Sequence, residues 1–378
     1  MTDITGFVKL RGMTTTAAAP IARIHRVRAA LRAEEIDAIL LGPSADFRYL
    51  TGYETMPMER LTMLVLPAEG EARIVTPAFE ASLAPAGLGI EVDGWAETAD
   101  PLARVVDALP RGVRRVAAGD QLDAMFLLPL QTRLDADWVL GSTVMRPLRM
   151  IKDADEIAAL ADAAAAVDRA VARAAELLRP GITEREIAAE LDRAIRDEGH
   201  EQTDFTDIGS GPNGASPHHS FSDRAIEPGD PVVIDIGGRM ASGYRSDITR
   251  TFAAGDPGEE FLELYAVLEA AQAAGRRAVR PGATCESVDA ACRDVIAQAG
   301  YGDAFIHRTG HGIGLDVHED PYIVEGDRLP LEPGMAFSIE PGIYLPGRFG
   351  ARIEDIVVVT DDGVRELNAA DRSLVGAD

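Results

Sequence analysis

The feature that most constrains the fold is an internal repeat in the second half of this 378-residue chain. It aligns residues 178–199, LRPGITEREIAAELDRAIRDEG, with residues 279–300, VRPGATCESVDAACRDVIAQAG, at an offset of 101, and seven of the 22 positions are identical. Each copy predicts an RPG turn, a threonine N-cap at Thr183 or Thr284, an amphipathic helix and a terminating glycine. The repeat therefore predicts two similar half-domains.

The repeat extends to a strand that carries an acidic residue among apolar neighbours. Residues 227–238, EPGDPVVIDIGG, align with residues 332–343, EPGMAFSIEPGI, at an offset of 105, so Asp235 corresponds to Glu340. A carboxylate buried in such a strand is costly unless something pairs with it. Each half-domain is thus predicted to contribute one acid to a shared polar site.

A second acid follows each of these strands on a predicted return strand. The midpoints of the two segments fall inside their loops, so hairpins folded there would place Asp235 opposite Asp247 and Glu340 opposite Glu354. Like charges that face each other raise some of their own pKa values or require a cation. Four carboxylates match the charge of two divalent cations, and oxygen ligands favour Mn²⁺ or a neighbouring divalent ion.

Histidines supply candidate nitrogen ligands near these acids. The segment HRTGHGIGLDVHEDP, residues 307–321, contains His307, His311 and His318, and four of the seven histidines lie in PHHS and HRTGH. This clustering favours a functional role over the structural role that an isolated histidine usually has. The sequence contains no HExxH, GxSxG, Walker or Rossmann motif, which argues against those classes of site.

The first half of the chain has a different organisation. Residues 20–150 alternate helical and strand patterns, which predicts a small α/β domain, and residues 1–19 are predicted to form a flexible tail. Residues 146–152 are interpreted as a connector, and Asp153 as the cap of a long helix. A second domain is therefore expected over residues 151–378.

Composition excludes several classes of function. The chain has 62 acidic and 37 basic residues, a formal charge of −25, which argues against binding nucleic acid or an anionic membrane. Its two cysteines, Cys285 and Cys292, form no disulfide framework and are expected in the core, in a reducing compartment. Neither a signal peptide nor an apolar run of membrane-spanning length is present, so we expect a cytoplasmic enzyme.

Taken together, the motifs resemble the pita-bread metallopeptidases, which include methionine aminopeptidase, aminopeptidase P and prolidase. The resemblance covers the whole chain and rests on YLTGYE, PHHSFSD, VVIDIGG, GYRSDITRTF, GHGIGLDVHE, SIEPGIY and RIED, in family order. It implies an α+β fold, in which a pita-bread catalytic domain with a pseudo-twofold repeat follows a smaller α/β domain of the creatinase/prolidase type. It also implies a homodimer.

The resemblance implies a site for two divalent metal ions. Mn²⁺ is expected, with Co²⁺, Zn²⁺ or Fe²⁺ as alternatives. The ligands carried over by position would be Asp235, Asp247, His311, Glu340 and Glu354. Of these, Asp247 and Glu354 would bridge the ions, Asp235 would chelate one, and His311 with Glu340 would complete the other.

Catalytic and substrate-binding roles follow from the same resemblance. Glu340 would act as general base on a water shared by the ions. His318 would contact the leaving group or the oxyanion, and His218 would shape the pocket around proline. His307 and Arg352 match positions of the Xaa-Pro branch and would bind substrate. For Arg352 the alternative is that it orients Glu354.

The expected substrate is a small peptide with proline at its second position. An Xaa-Pro dipeptidase is the leading hypothesis; an Xaa-Pro aminopeptidase acting on longer peptides and a related small-amide hydrolase are the alternatives. Prolidases often have an arginine after HExP that holds the dipeptide carboxylate, whereas this chain has Tyr322. A phenol can form a hydrogen bond there but offers no charged clamp. The short N-terminal domain favours the dipeptidase, and intact ligands argue against a binding module.

Overall fold

The computed structural model describes residues 18–376, so the predicted tail lies, up to residue 17, outside the described residues. The described residues divide into two compact units, with the boundary between residues 148 and 149. We call them the N-terminal unit and the C-terminal unit. No helix among the described residues is long and apolar enough to cross a membrane.

The N-terminal unit is a six-stranded mixed sheet with strand order β4-β3-β2-β1-β5-β6. The apolar runs predicted as strands form its centre, because their side chains are buried on both faces. Its strands are β1 (Ala38–Leu41), β2 (Met63–Pro67), β3 (Ala72–Pro77), β4 (Ile90–Trp95), β5 (Arg115–Ala118) and β6 (Asp137–Leu140). Its helices are α1 (Ala18–Ala33), α2 (Ala45–Thr51), α3 (Pro101–Ala108) and α4 (Ala124–Arg133), and α5 (Ser142–Met150) runs across the boundary.

The C-terminal unit contains a four-stranded sheet, a five-stranded sheet and a separate two-stranded hairpin. Their orders are β17-β9-β8-β7, β11-β10-β12-β15-β16 and β13-β14. The strands are β7 (His200–Ser210), β8 (Pro231–Met240), β9 (Arg245–Ala253), β10 (Gly310–Gly312), β11 (Glu319–Ile323), β12 (Ala336–Ile339), β13 (Gly342–Leu345), β14 (Phe349–Arg352), β15 (Asp355–Thr360), β16 (Gly363–Glu366) and β17 (Val375–Gly376). The helices are α6 (Ala154–Ala172), α7 (Ala174–Leu177), α8 (Glu184–Asp197), α9 (Glu259–Ala278) and α10 (Cys285–Gln298).

The internal repeat is a structural repeat. Thr183 and Thr284 cap α8 and α10, and each threonine pairs with a later segment through an isolated bridge, Thr183 with Ala225 and Thr284 with Pro330. Strands β8 and β12 begin 105 residues apart, at the offset that the sequence predicts. The α+β fold and its two half-domains are therefore confirmed.

Helix caps and core residues also follow the sequence pattern. Asp153 caps α6 in a capping box, in which its side chain accepts a hydrogen bond from the backbone N–H of Glu156. Cys285 and Cys292 form no disulfide with described residues and are fully buried in an apolar cluster with residues of α9 and β12. They serve as small core residues, as predicted.

One predicted register is wrong by two residues. Strand β8 pairs with β9 so that Asp235 lies opposite Thr249 and Asp247 lies opposite Gly237. The hairpin is centred on Ser242, one residue beyond the predicted midpoint Ala241, so each pairing partner moves by two residues. Because side chains alternate with period two, this even shift keeps both acids on one face. In the second hairpin, β13 pairs Gly342 with Arg352, the register that the midpoint predicts.

Candidate metal centre

Acids from both half-domains converge on one histidine in the C-terminal unit. Ligand atoms of Asp247, His311 and Glu354 all lie within 4.8 Å of one another, and all three residues are buried. His311 Nε2 lies 3.6 Å from Asp247 Oδ2, 3.2 Å from Glu340 Oε1 and 4.0 Å from Glu354 Oε1. Glu340 contacts this group through His311, whereas Asp235 lies outside the group and lines the same cavity.

The backbone fixes the orientation of His311. Strand β10 packs so closely on β12 that a Cβ at Gly310 would lie 1.9 Å from the carbonyl oxygen of Ser338. His311 Nδ1 lies 3.1 Å from the carbonyl oxygen of Gly312, which can only accept, so Nδ1 carries the hydrogen. Nε2 therefore faces the acids, and it is the ring nitrogen that a metal ion would bind in place of a proton.

Three carboxylates each have one oxygen held and one oxygen free. Arg352 holds Asp235 Oδ2 at 2.7 Å, Thr249 holds Glu354 Oε2 at 2.8 Å, and Ser338 donates to Glu340 Oε1 at 3.0 Å. Asp235 Oδ1 and Glu354 Oε1 are buried without a hydrogen-bond partner among the described residues. Buried, unsatisfied carboxylate oxygens are costly, and a divalent cation would satisfy them. The residues present fit such an ion.

The acids of this site are buried and repel one another. Burial, together with neighbouring acids, raises the pKa of Asp235 and raises those of Asp247 and Glu354 well above their usual range. Burial by itself would lower the pKa of His311, but its hydrogen bond with Glu340 and the nearby acids raise it to about 9. The acids thus stabilise a positive charge next to them, as a cation site does.

Glu340 differs from the other acids. Burial would raise its pKa, but the hydrogen bond and charge of His311, followed by His307 and Arg352, lower it to about 2. Its contacts with His311 and Ser338 both fall on Oε1, so Oε2 has no partner among the described residues. Glu340 is therefore ionised at neutral pH and can accept a proton.

Arg352 contacts Asp235 rather than Glu354. Its guanidinium donates to Asp235, to Thr249 Oγ1 at 3.0 Å and to the hydroxyl of Tyr344 at 2.8 Å. The expectation that Arg352 orients Glu354 stays a prediction, and any such effect passes through Thr249, which accepts from Arg352 Nε and donates to Glu354 Oε2. Arg352 is buried, and its guanidinium already donates to Asp235, Thr249 and Tyr344. This favours a positioning role over substrate binding.

A cavity of about 280 Å³ opens above these acids, and the predicted histidines line it. His218 is exposed on its wall. The His318 ring lies 4.1 Å from that of His311, and burial, with the charges of His311 and Arg308, lowers the pKa of His318 to about 4. Both nitrogens of His307 are occupied, since Nδ1 donates to the carbonyl of Arg308 and Nε2 accepts from Tyr344.

Comparison with known proteins assigns this arrangement to a family. The model of metallopeptidase family M24 matches residues 158–361, and that of the creatinase/prolidase N-terminal domain matches residues 23–151. The chain belongs to metallopeptidase family M24. It is thus a hydrolase of the metallopeptidase class.

Relatives within M24 match almost the whole chain. The probable dipeptidase PepE of Mycobacterium tuberculosis is 48% identical over 357 residues, covering 93% of this chain and 95% of the relative. The Xaa-Pro dipeptidase of Lactobacillus helveticus is 37% identical, covering 86% and 91%. The crystal structure of dipeptidase PepE from Mycobacterium ulcerans has a TM-score of 0.91 at 48% identity, covering 96% and 98%.

Other residues of the M24 cavity were missed from the sequence. Asp207 and Phe205 line it from β7, and Asp207 lies opposite Asp235 in the sheet. Period-two alternation in β7 could have placed them on the same face as Asp235. Arg308 also lines the cavity, whereas the predicted substrate contact Tyr322 is not among the lining residues and lies beneath the Arg308 guanidinium.

Two buried ionic clusters support the cavity walls. Glu184 accepts hydrogen bonds from both ends of the loop that carries His218. Glu319, adjacent to His318, is held by Lys152 at 2.7 Å and by Arg149. The connector predicted between the domains thus reaches the histidine loop, a contact that no local sequence pattern indicates.

Proposed function

We propose that this protein is a dinuclear-metal-dependent Xaa-Pro dipeptidase, which hydrolyses the bond between an N-terminal residue and proline. The observation that carries the proposal is the set of free carboxylate oxygens that converge with His311 Nε2 at the base of a small, histidine-lined cavity. Relatives named dipeptidase and Xaa-Pro dipeptidase support the substrate class. The cavity volume lies near the lower end of ligand pockets, roughly 300–1,000 Å³, which suits a dipeptide.

The donor set favours two divalent ions. We propose that they are held by Asp235, Asp247, His311, Glu340 and Glu354. Bound there, they would lower the pKa of a water and polarise the scissile carbonyl. We expect Mn²⁺ because four of the five ligands are carboxylates, while Co²⁺, Zn²⁺ and Fe²⁺ suit the same set.

The acid–base and substrate-binding roles are assigned to side chains that line the cavity. Glu340 has a free Oε2 and is ionised, so we assign it as the general base that takes a proton from the attacking water. His318 is neutral at neutral pH and has no hydrogen-bond partner among the described residues, so its N–H can donate to the oxyanion or the leaving group. His218, exposed on the wall, is assigned to the proline side of the cavity.

A substrate panel tests this proposal. The chain, first stripped with a chelator, is assayed with Ala-Pro, Ala-Pro-Ala and Ala-Ala before and after Mn²⁺ or Co²⁺ is added. We expect hydrolysis of Ala-Pro only when metal is restored. Hydrolysis of Ala-Pro-Ala in preference to Ala-Pro would indicate an aminopeptidase, and full activity in the stripped protein would refute the metal site. A homodimer and a cytoplasmic location stay predictions of the sequence.

A further inference from the structure

One positive charge in the cavity has no partner of its own. Arg308 is half-buried and lines the cavity, and its guanidinium lies 4.3 Å above the ring centre of Tyr322. Among the described residues its side chain forms no hydrogen bond or salt bridge. Arg352, the other arginine of the cavity, is occupied by Asp235 and Tyr344. Arg308 is therefore the cavity cation that remains available to a ligand.

The backbone that carries Arg308 is rigidly held from α10. The buried carboxylate of Asp289 accepts hydrogen bonds from the Thr309 N–H at 3.1 Å and from its hydroxyl at 2.8 Å. Arg293, itself paired with Asp289, donates to the carbonyl of His307 at 3.0 Å. Residues on both sides of Arg308 are thus fixed, and stacking on Tyr322 restricts the guanidinium. Pre-organisation of this kind lowers the entropy lost when a ligand binds.

Arg308 also lies on the substrate side of the site. Its charge contributes to the lowered pKa of His318, and the ring of His318 contacts that of the expected metal ligand His311 in a tilted arrangement. A peptide whose scissile carbonyl lies above the acids would place its next residue among these groups. In a dipeptide, that residue ends in a carboxylate.

A carboxylate inside this cavity needs a cationic donor, because desolvating it without one is costly and the walls carry acids. A guanidinium can donate two parallel hydrogen bonds to a carboxylate. We propose that Arg308 binds the C-terminal carboxylate of the dipeptide and thereby selects dipeptides over longer or C-terminally amidated peptides. The inference rests on the proposed dipeptidase function and gives that site its length selectivity.

The test compares Arg308→Met and Arg308→Lys with the parent chain, all loaded with Mn²⁺, on Ala-Pro and on Ala-Pro amide. Loss of a charged hydrogen-bond pair predicts a fall in kcat/KM for Ala-Pro of about 10- to 100-fold in Arg308→Met, with little change for the amide. Arg308→Lys should recover part of the loss. Arg328→Met, which removes an exposed arginine, is the matched control and should change neither substrate.

Several results would overturn the proposal separately from the function. Equal losses on the dipeptide and its amide, or no loss on either, refute the role of Arg308 while leaving the dipeptidase assignment intact. Circular dichroism identifies any variant whose loss of activity comes from unfolding. If Arg308→Met unfolds, partial recovery of kcat/KM for Ala-Pro in Arg308→Lys supports the role of Arg308, and no recovery refutes it. If the parent chain cleaves neither Ala-Pro nor its amide with metal present, the proposed function fails and the inference fails with it.

Discussion

Replacing Glu184 by glutamine is expected to destabilise the C-terminal unit by about 3 kcal/mol at neutral pH. Glu184 lies in the first turn of α8, and its side chain has no solvent exposure. It accepts hydrogen bonds from Ser210, Asn213, His219 and Ser222, at distances between 2.6 and 3.2 Å. Because these donors lie on both sides of His218, the buried charge fixes the loop that presents this histidine.

The magnitude follows from the pKa of Glu184. Burial would raise it, but the hydrogen bonds from Ser210, Ser222 and His219 outweigh burial and lower it from 4.5 to about 2. At 1.36 kcal/mol per pKa unit, this difference corresponds to about 3 kcal/mol. Since the pKa in the folded state is the lower one, the stabilisation is present above pH 4.5 and is lost as the pH falls towards 2.

Glutamine does not ionise, so the difference between the parent chain and Glu184→Gln should itself depend on pH. It should be constant from pH 6 to 7 and smaller by about 1.4 kcal/mol at pH 3.5. Glu190→Gln, on an exposed face of the same helix, is the control and should stay within about 0.5 kcal/mol of the parent chain.

The assay must distinguish the two units. Both tryptophans, Trp95 and Trp138, belong to the N-terminal unit, so their fluorescence reports that unit. Urea unfolding is therefore followed for the C-terminal unit by hydrogen exchange of peptides from β7 to β9, with tryptophan fluorescence recorded in parallel. A stability difference of less than 1 kcal/mol at pH 7, or one that does not change at low pH, would refute this account of Glu184.

Two other buried contacts give predictions. Arg352→Lys should weaken Mn²⁺ binding by about 10- to 100-fold in a titration, because one ammonium cannot replace a guanidinium that contacts Asp235, Thr249 and Tyr344 together; unchanged affinity would contradict its positioning role. Glu319→Gln should destabilise the C-terminal unit by about 3–5 kcal/mol in urea unfolding, because it leaves Lys152 buried without its counter-charge; a change below 1 kcal/mol would show that Lys152 finds another partner.

The sequence predicts features that have a period or a repeat. The capped helices at Thr183 and Thr284 and the strands of Asp235 and Glu340 follow from residue spacing, and the structure contains them. The β8–β9 register was wrong because a midpoint does not specify how a loop turns. Alternation along the strands still placed the acids of that hairpin on one face, since only the parity of the shift matters.

Contacts that depend on the packing of distant segments could not be predicted in this way. The Arg352–Asp235 pair spans 117 residues, and Lys152 with Glu319 spans 167. The RIED motif marks Arg352 as a site residue but does not indicate Asp235 as its partner, and a lysine in a connector occurs as readily on a solvated face. The acids of the site could therefore be predicted from spacing, whereas the pairing of each acid with its cation could not.

These partners make a symmetric repeat chemically asymmetric. Asp235 and Glu340 occupy equivalent strands, yet Asp235 pairs with Arg352 and has a raised pKa, whereas Glu340 pairs with His311 and has a lowered one. Groups whose environments separate their pKa values can take different roles in acid–base chemistry. Asp235 keeps its free oxygen buried, while the free oxygen of Glu340 belongs to the acid that stays ionised at neutral pH. The duplication thus supplies two equivalent carboxylates, and their unequal partners keep Glu340 ionised at neutral pH, as its proposed role of general base requires.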